Sequence, residues 1–188
     1  MKKILFINAC VRKNSRTKRL ADALLSKLAG DVKEINLEKE ALVPLTEDVL
    51  SRRESSIAAG DYSDPMFRYA KLFAEADELV FAAPYWDLSF PSSLKVFIEH
   101  VAVRGLTFGY SDDGTPSGLC RAKKLWYVAA MGGAGLPHDF GYGYVKSICA
   151  GYYGINEAEL ICAEGLDIIG SDAEKILAAT EEKIKLQP

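Results

Sequence analysis

Leu79-Val80-Phe81-Ala82-Ala83-Pro84-Tyr85-Trp86-Asp87-Leu88-Ser89-Phe90-Pro91 is the stretch whose reading decides the fold. Leu79 to Ala83 is an unbroken apolar run without helical periodicity, which suits a parallel strand covered on both faces. Pro84 ends it because proline offers the ladder no donor. An aromatic and acidic loop follows, and Pro91 then stands where the first turn of a helix tolerates it, with Leu94, Phe97, Ile98 and Val101 along one stripe. Strand, loop and helix in this order build one mouth of an α/β sheet. Ligands of such sheets sit outside the carboxyl ends of the strands, so the Pro84 to Leu88 loop is a candidate ligand wall.

Upstream, Lys3 to Asn8 reads as a first strand, followed by a loop through Thr17 and a helix carrying Leu20, Leu24 and Leu28, with Gly30 as its expected stop. Asn14, Ser15 and Thr17 can cap the free N–H groups of that helix, and the same groups would bind a phosphate dianion. Arg12, Lys13, Arg16, Lys18 and Arg19 add positive charge, although a capped helix with a solvated basic face explains the same residues. The loop contains no glycine, which excludes a dinucleotide fingerprint and a P-loop. No carboxylate cluster follows the strand to hold Mg²⁺.

Val32 to Leu37 reads as a second strand, Thr46 and Asp64-Pro65 open two further helices, and Lys124 to Ala130 and Glu159 to Glu164 read as the fourth and fifth strands. Leu106 to Tyr110 and Ser117 to Leu119 flank a turn-rich segment that predicts a small hairpin. After the fourth strand, Met131-Gly132-Gly133-Ala134-Gly135 can present backbone N–H groups opposite the Pro84 loop. Asp139 to Tyr153 reads as a helix with Phe140, Tyr144, Ile148 and Tyr152 in register, and Ser171 with Glu174 as a capping box for the last one. Five alternations predict a three-layer α/β sandwich over residues 1–188, with a parallel five-stranded sheet in the order 2-1-3-4-5.

With 188 residues, 49% of them hydrophobic and 26% charged, the chain suits one soluble domain. A formal charge of −3 argues against general nucleic-acid binding. The apolar run after Met1-Lys2-Lys3 is too short for a secretory leader, and no stretch is expected to enter a membrane. Cys10, Cys120, Cys149 and Cys162 are widely separated, so free thiols in a reducing cytoplasm are expected, with neither disulfide nor metal.

Ala82-Ala83-Pro84, two aromatics, a polar residue, Pro91, Leu94-Lys95 and then Arg104-Gly105-Leu106-Thr107-Phe108-Gly109-Tyr110 resemble the FMN-dependent NADH-azoreductases and related NAD(P)H:quinone reductases of flavodoxin-like fold. That resemblance implies FMN as cofactor, NADH or NADPH as co-substrate, a small-molecule electron acceptor such as a quinone, azo or nitro compound, and a homodimer. It implies Cys10, Ser15, Arg16, Thr17, Pro84, Tyr85, Trp86, Asp87, Leu88, Ala130, Met131, Gly132 and Gly133 as cofactor-binding residues. Tyr110, His138 and Tyr152 are the candidates near the substrate. Asp87 departs from the asparagine usual in the azoreductases, and Met131 from the arginine of many, so slower or narrower activity is expected. The alternative, a non-enzymatic flavodoxin-type electron carrier, fits the basic loop and the small net charge poorly.

Overall fold

A computed structural model describes residues 1–186. Its main sheet contains β1 (Lys3–Asn8), β2 (Asp31–Asn36), β3 (Glu78–Ala82), β6 (Lys124–Ala130) and β7 (Glu157–Ala163), all parallel, in the spatial order β2-β1-β3-β6-β7. This is the predicted 2-1-3-4-5 order. The intervening numbers belong to a hairpin, β4 (Phe108–Tyr110) with β5 (Pro116–Gly118), which stands apart as a two-stranded antiparallel ribbon.

Alternation along the inner strands assigns the two layers of helix. Ile4, Phe6, Val80, Ala82, Trp126 and Val128 face α1 (Arg16–Leu25) and α6 (Ala173–Leu186), meeting Leu20, Leu24, Leu177 and Ile184. Leu5, Ile7, Leu79, Phe81, Leu125 and Tyr127 face the other way, toward α3 (Arg68–Glu75), α4 (Ser92–Val101) and α5 (Tyr144–Gly151), meeting Phe73, Phe97, Val101, Val145 and Cys149. A strand covered on both faces must be apolar on both, which is why β3 is buried throughout. α2 (Glu47–Ala59) buries no residue and lies at the periphery, where Ile57 packs near Phe67 and Val103.

Several local readings are corrected. α1 ends at Leu25 with Ser26 as its cap, short of Gly30. The predicted helix from Asp139 to Tyr153 begins with a π-wound turn, Asp139–Gly143. That wider turn inserts a residue relative to α-helical spacing, so the buried stripe runs Val145, Cys149, Tyr153, and Phe140 is 59% exposed. The last helix is capped by Asp172, whose Oδ1 accepts from the Lys175 N–H, while the Ser171 hydroxyl turns back to the Ile168 carbonyl.

The hairpin docks on the end of α5 through Gly118. A Cβ there would fall 2.2 Å from the Gly154 nitrogen, so only glycine permits this approach. Phe108 stands edge-on to its strand neighbour Tyr110, ring centroids 5.6 Å apart, and docking brings it edge-on to Tyr152, 5.1 Å away.

Candidate active site

Four loops leave the carboxyl ends of β1, β3, β6 and β7 on one side of the sheet, and between them lies a cleft of about 400 Å³. Strand order reverses between β1 and β3, and an open α/β sheet leaves a crevice at such a point. Ser15, Arg16 and Thr17 line one end, Pro84, Tyr85 and Trp86 one wall, and Ala130, Met131 and Gly132 the opposite wall. Val11, Arg12, Asn14, Leu166 and Asp167 complete the lining.

The β1 loop is shaped by Asn8. Its amide donates to Glu34, 2.7 Å away on the neighbouring strand, and its Oδ1 accepts from the Cys10 N–H at 2.9 Å. The chain then turns, and Ser15 caps α1 by accepting from the Lys18 N–H at 3.2 Å, while its carbonyl accepts from the Arg19 N–H. Arg16 and Thr17 hold the first helical N–H groups, which have no acceptor within the helix and meet the cleft. The basic run beside them divides. Lys18 pairs with Asp22 one turn along α1 itself, while Arg19 reaches Glu174 and Glu181 of α6 and ties the two helices together.

The β3 loop makes a tight reversal, with Trp86 and Ser89 exchanging backbone hydrogen bonds and Asp87 and Leu88 at φ 51° and 66°. Both central residues are thus left-handed, as in a type I′ turn, a conformation that disfavours leucine. Asp87 and Leu88 are exposed at the tip and do not line the cleft. Tyr85 and Ser89 tie this loop to the one after β6, donating to the carbonyls of Pro137 at 2.8 Å and Phe140 at 2.7 Å.

The β6 loop is in turn sewn to the β7 loop. The N–H groups of Gly165, Leu166 and Asp167 donate to the carbonyls of Gly133, Met131 and Gly132, and the Met131 N–H donates to Ala163. Those bonds occupy the carbonyls, and among the described residues the Gly132 N–H has no acceptor, so the wall presents a donor to the cleft. Asp167 leans across Gly132 and pairs with Arg16, Oδ1 to Nη1 2.7 Å, closing the rim between the first and last loops.

Some expected site residues lie elsewhere. Cys10 is buried in the core, its thiol toward the Ala82 carbonyl and pushed up to about 11 by burial. Met131 is fully buried, so its side chain belongs to the core although it borders the cleft. Gly133 is not among the lining residues. His138 also stands outside the lining, behind Tyr85, with Nε2 2.9 Å from Glu164 Oε1. The Gly135 N–H, bonded to the other carboxylate oxygen, and then His138 hold Glu164 below the usual carboxylate range. Tyr110 and Tyr152 lie at the hairpin, 52% and 40% exposed, away from the cleft lining of this chain.

Sequence reasoning missed Leu166 and Asp167. Glu164-Gly165-Leu166-Asp167 follows the last strand at the same end of the sheet as the other loops, and that position was the available signal.

A protein family described by its flavodoxin-like fold matches residues 2–187. A Clostridium acetobutylicum protein named FMN-dependent NADH:quinone oxidoreductase 2 is 35% identical, over 100% of this chain and 98% of its own length. A Lachnoclostridium phytofermentans FMN-dependent NADH:quinone oxidoreductase is 34% identical, over 99% and 98%. Among solved structures, an azoreductase from Bacillus anthracis superposes with a TM-score of 0.83 at 27% identity, covering 98% of this chain and 97% of that one. A second B. anthracis structure, an FMN-dependent NADH-azoreductase in complex with FMN, gives a TM-score of 0.80 at 20% identity, covering 98% and 96%, and bears on the fold alone. Sheet order, cleft position and full-length similarity converge, and this chain belongs to the flavodoxin-like family in which those clostridial quinone oxidoreductases are found.

Proposed function

We propose that this protein is an FMN-dependent NAD(P)H oxidoreductase that reduces quinones or azo compounds by two-electron transfer. The observation that carries this reading is the cleft itself, which sets the first-turn N–H groups of Arg16 and Thr17, without an acceptor among the described residues, at one end of two facing loop walls. Those donors at a helix start fit a phosphate dianion. A cavity of about 400 Å³ lies within the range of cofactor sites and opens to solvent for a second molecule. The names of the full-length relatives agree with both the cofactor and the reaction.

Ser15, Arg16 and Thr17 would hold the phosphate, and Tyr85, Trp86 and the backbone of Ala130 to Gly132 would hold the ring. When bound, FMN supplies the redox chemistry, accepting hydride from a nicotinamide and returning two electrons to the acceptor. The chain's own contribution is positioning and charge stabilisation. The Gly132 N–H offers a fixed donor for negative charge on a reduced ring, and Trp86, 39% exposed at the rim, offers a planar surface to an aromatic substrate. Nicotinamide and acceptor would use the same open side in turn, which is ping-pong kinetics.

The protein is further proposed to work as a homodimer in the cytoplasm. Tyr110, Leu119 and Tyr152 surround the hairpin and are 40% to 52% exposed, an aromatic surface that a second copy would cover. All four cysteines are free, in keeping with a reducing compartment, and no described helix is long and apolar enough to cross a membrane.

Anaerobic titration of the purified protein tests the enzyme reading. Bleaching by stoichiometric NADH or NADPH, with colour restored by a quinone, is the expected result. A protein that binds no flavin, or whose flavin neither nicotinamide reduces, removes it.

A further inference from the structure

We propose that His138, Cys162 and Glu164 form a binding site for one thiophilic divalent cation, Zn²⁺ being the best match. The three come from different places in the chain: His138 from the loop after β6, Cys162 from the end of β7, and Glu164 just beyond it. Their ligand atoms all lie within 4.8 Å of one another, and among the described residues no other group of histidine, cysteine and acidic side chains is so close. All three are partly buried, shielded enough to be ordered and open enough for an ion to enter.

Tetrahedral Zn²⁺ binds nitrogen, sulfur and oxygen at about 2.0 to 2.3 Å, which separates neighbouring ligand atoms by roughly 3.3 to 3.8 Å. The pair His138 Nε2 and Glu164 Oε1, now 2.9 Å apart, would open by a few tenths of an ångström, and the remaining pairs would close by about 1.5 Å or less. Such shifts are within the reach of side-chain rotations. The carboxylate is already oriented from behind, because its other oxygen accepts from the Gly135 N–H at 2.9 Å. Ligating carboxylates typically have this kind of outer support. Water would take the fourth position. One nitrogen, one sulfur and one oxygen donor disfavour Mg²⁺ and Ca²⁺, which need sets of oxygen ligands. Coordination turns the Cys162 thiol into a thiolate and releases its proton to solvent.

The site adjoins the cleft without being part of it. The His138 ring lies 6.5 Å from that of Tyr85, which lines the cleft and donates to Pro137 beside the histidine. An ion here would therefore clamp the loop after β6 to the end of β7, directly behind one cleft wall.

Isothermal titration of the purified full chain with ZnCl₂, repeated with MgCl₂, tests the site independently of any flavin. One Zn²⁺ per chain with a Kd on the order of micromolar is expected, with no heat from Mg²⁺. Cys162→Ser and His138→Ala should each weaken Zn²⁺ binding by at least about tenfold, and His100→Ala, which removes the only other histidine, should leave it unchanged. Alkylation of Cys162, followed by mass spectrometry, should slow when Zn²⁺ is present, and circular dichroism should confirm that each variant is folded. Undiminished affinity in both ligand variants, loss of binding in His100→Ala, equal alkylation with and without Zn²⁺, or no binding up to roughly 1 mM would each overturn the proposal.

Discussion

Asp167→Asn is expected to make the protein hold FMN more tightly, although it removes an ion pair. In the structure Asp167 and Arg16 meet at 2.7 Å on the rim of the cleft, with their side chains 64% and 42% exposed. A pair this open is worth at most about 1 kcal/mol to folding, so its loss should barely move the melting temperature. Its effect on a bound dianion is larger in proportion. One guanidinium bridging two anions keeps their centres roughly 6 Å apart, and a single negative charge facing a double one at that distance costs about 1.4 kcal/mol in water, or about 0.7 once physiological salt screens it. Removing the carboxylate relieves that repulsion and frees Arg16 for the phosphate, giving about 1 kcal/mol, or a roughly fivefold lower Kd. Quenching of FMN fluorescence on titration with apoprotein reads this directly. Arg16→Ala should move the Kd the opposite way by a similar factor, and both effects should shrink as salt is raised. An unchanged or weaker affinity in Asp167→Asn would refute the electrostatic argument and point to the carboxylate as an acceptor for the cofactor's hydroxyls.

Other outcomes follow from single contacts. Gly132→Ala would bring a Cβ within 2.6 Å of Asp167 Oδ2, so the retained flavin, read as the ratio of flavin to protein absorbance after gel filtration, should fall several-fold while the fold persists. Gly118→Ala meets backbone at 2.2 Å and should cost about 1 to 3 kcal/mol in urea unfolding, through undocking of the hairpin. Leu88→Gly relieves a left-handed leucine at φ 66° and should raise stability by up to about 1 kcal/mol in the same assay. The Lys3 N–H, and then Arg121, hold the Asp77 carboxyl below its ordinary value. A depressed folded pKa contributes stability that is fully present above the unfolded carboxylate range near pH 4 and is lost as pH falls through the folded value. Asp77→Asn should therefore lower the urea midpoint at pH 7, and the gap from the parent protein should narrow in acid.

Much of this protein was legible along the chain. Leu79 to Ala83 is apolar because both faces of its strand are covered, and Ser15 sits three residues before the amide it caps, so strand and cap follow from short-range chemistry. Neither reading needed knowledge of distant residues. Where local pattern competed with long-range packing, it failed: the π-wound turn at Asp139–Gly143 rotated the tyrosines of α5, and the last cap passed from Ser171 to Asp172.

What the sequence by itself determined is the alternation of strands and helices, the loop that opens α1 at Ser15 and the two loops that form the walls, because each is written in residues close together in the chain. The tertiary structure alone decided that Asp167 meets Arg16 across 151 positions, that Cys10 turns into the core, that Asp87 points off the cleft, and that His138, Cys162 and Glu164 converge. Such contacts arise where loops from separate strands end at one edge of the sheet, and no spacing within a single segment encodes them.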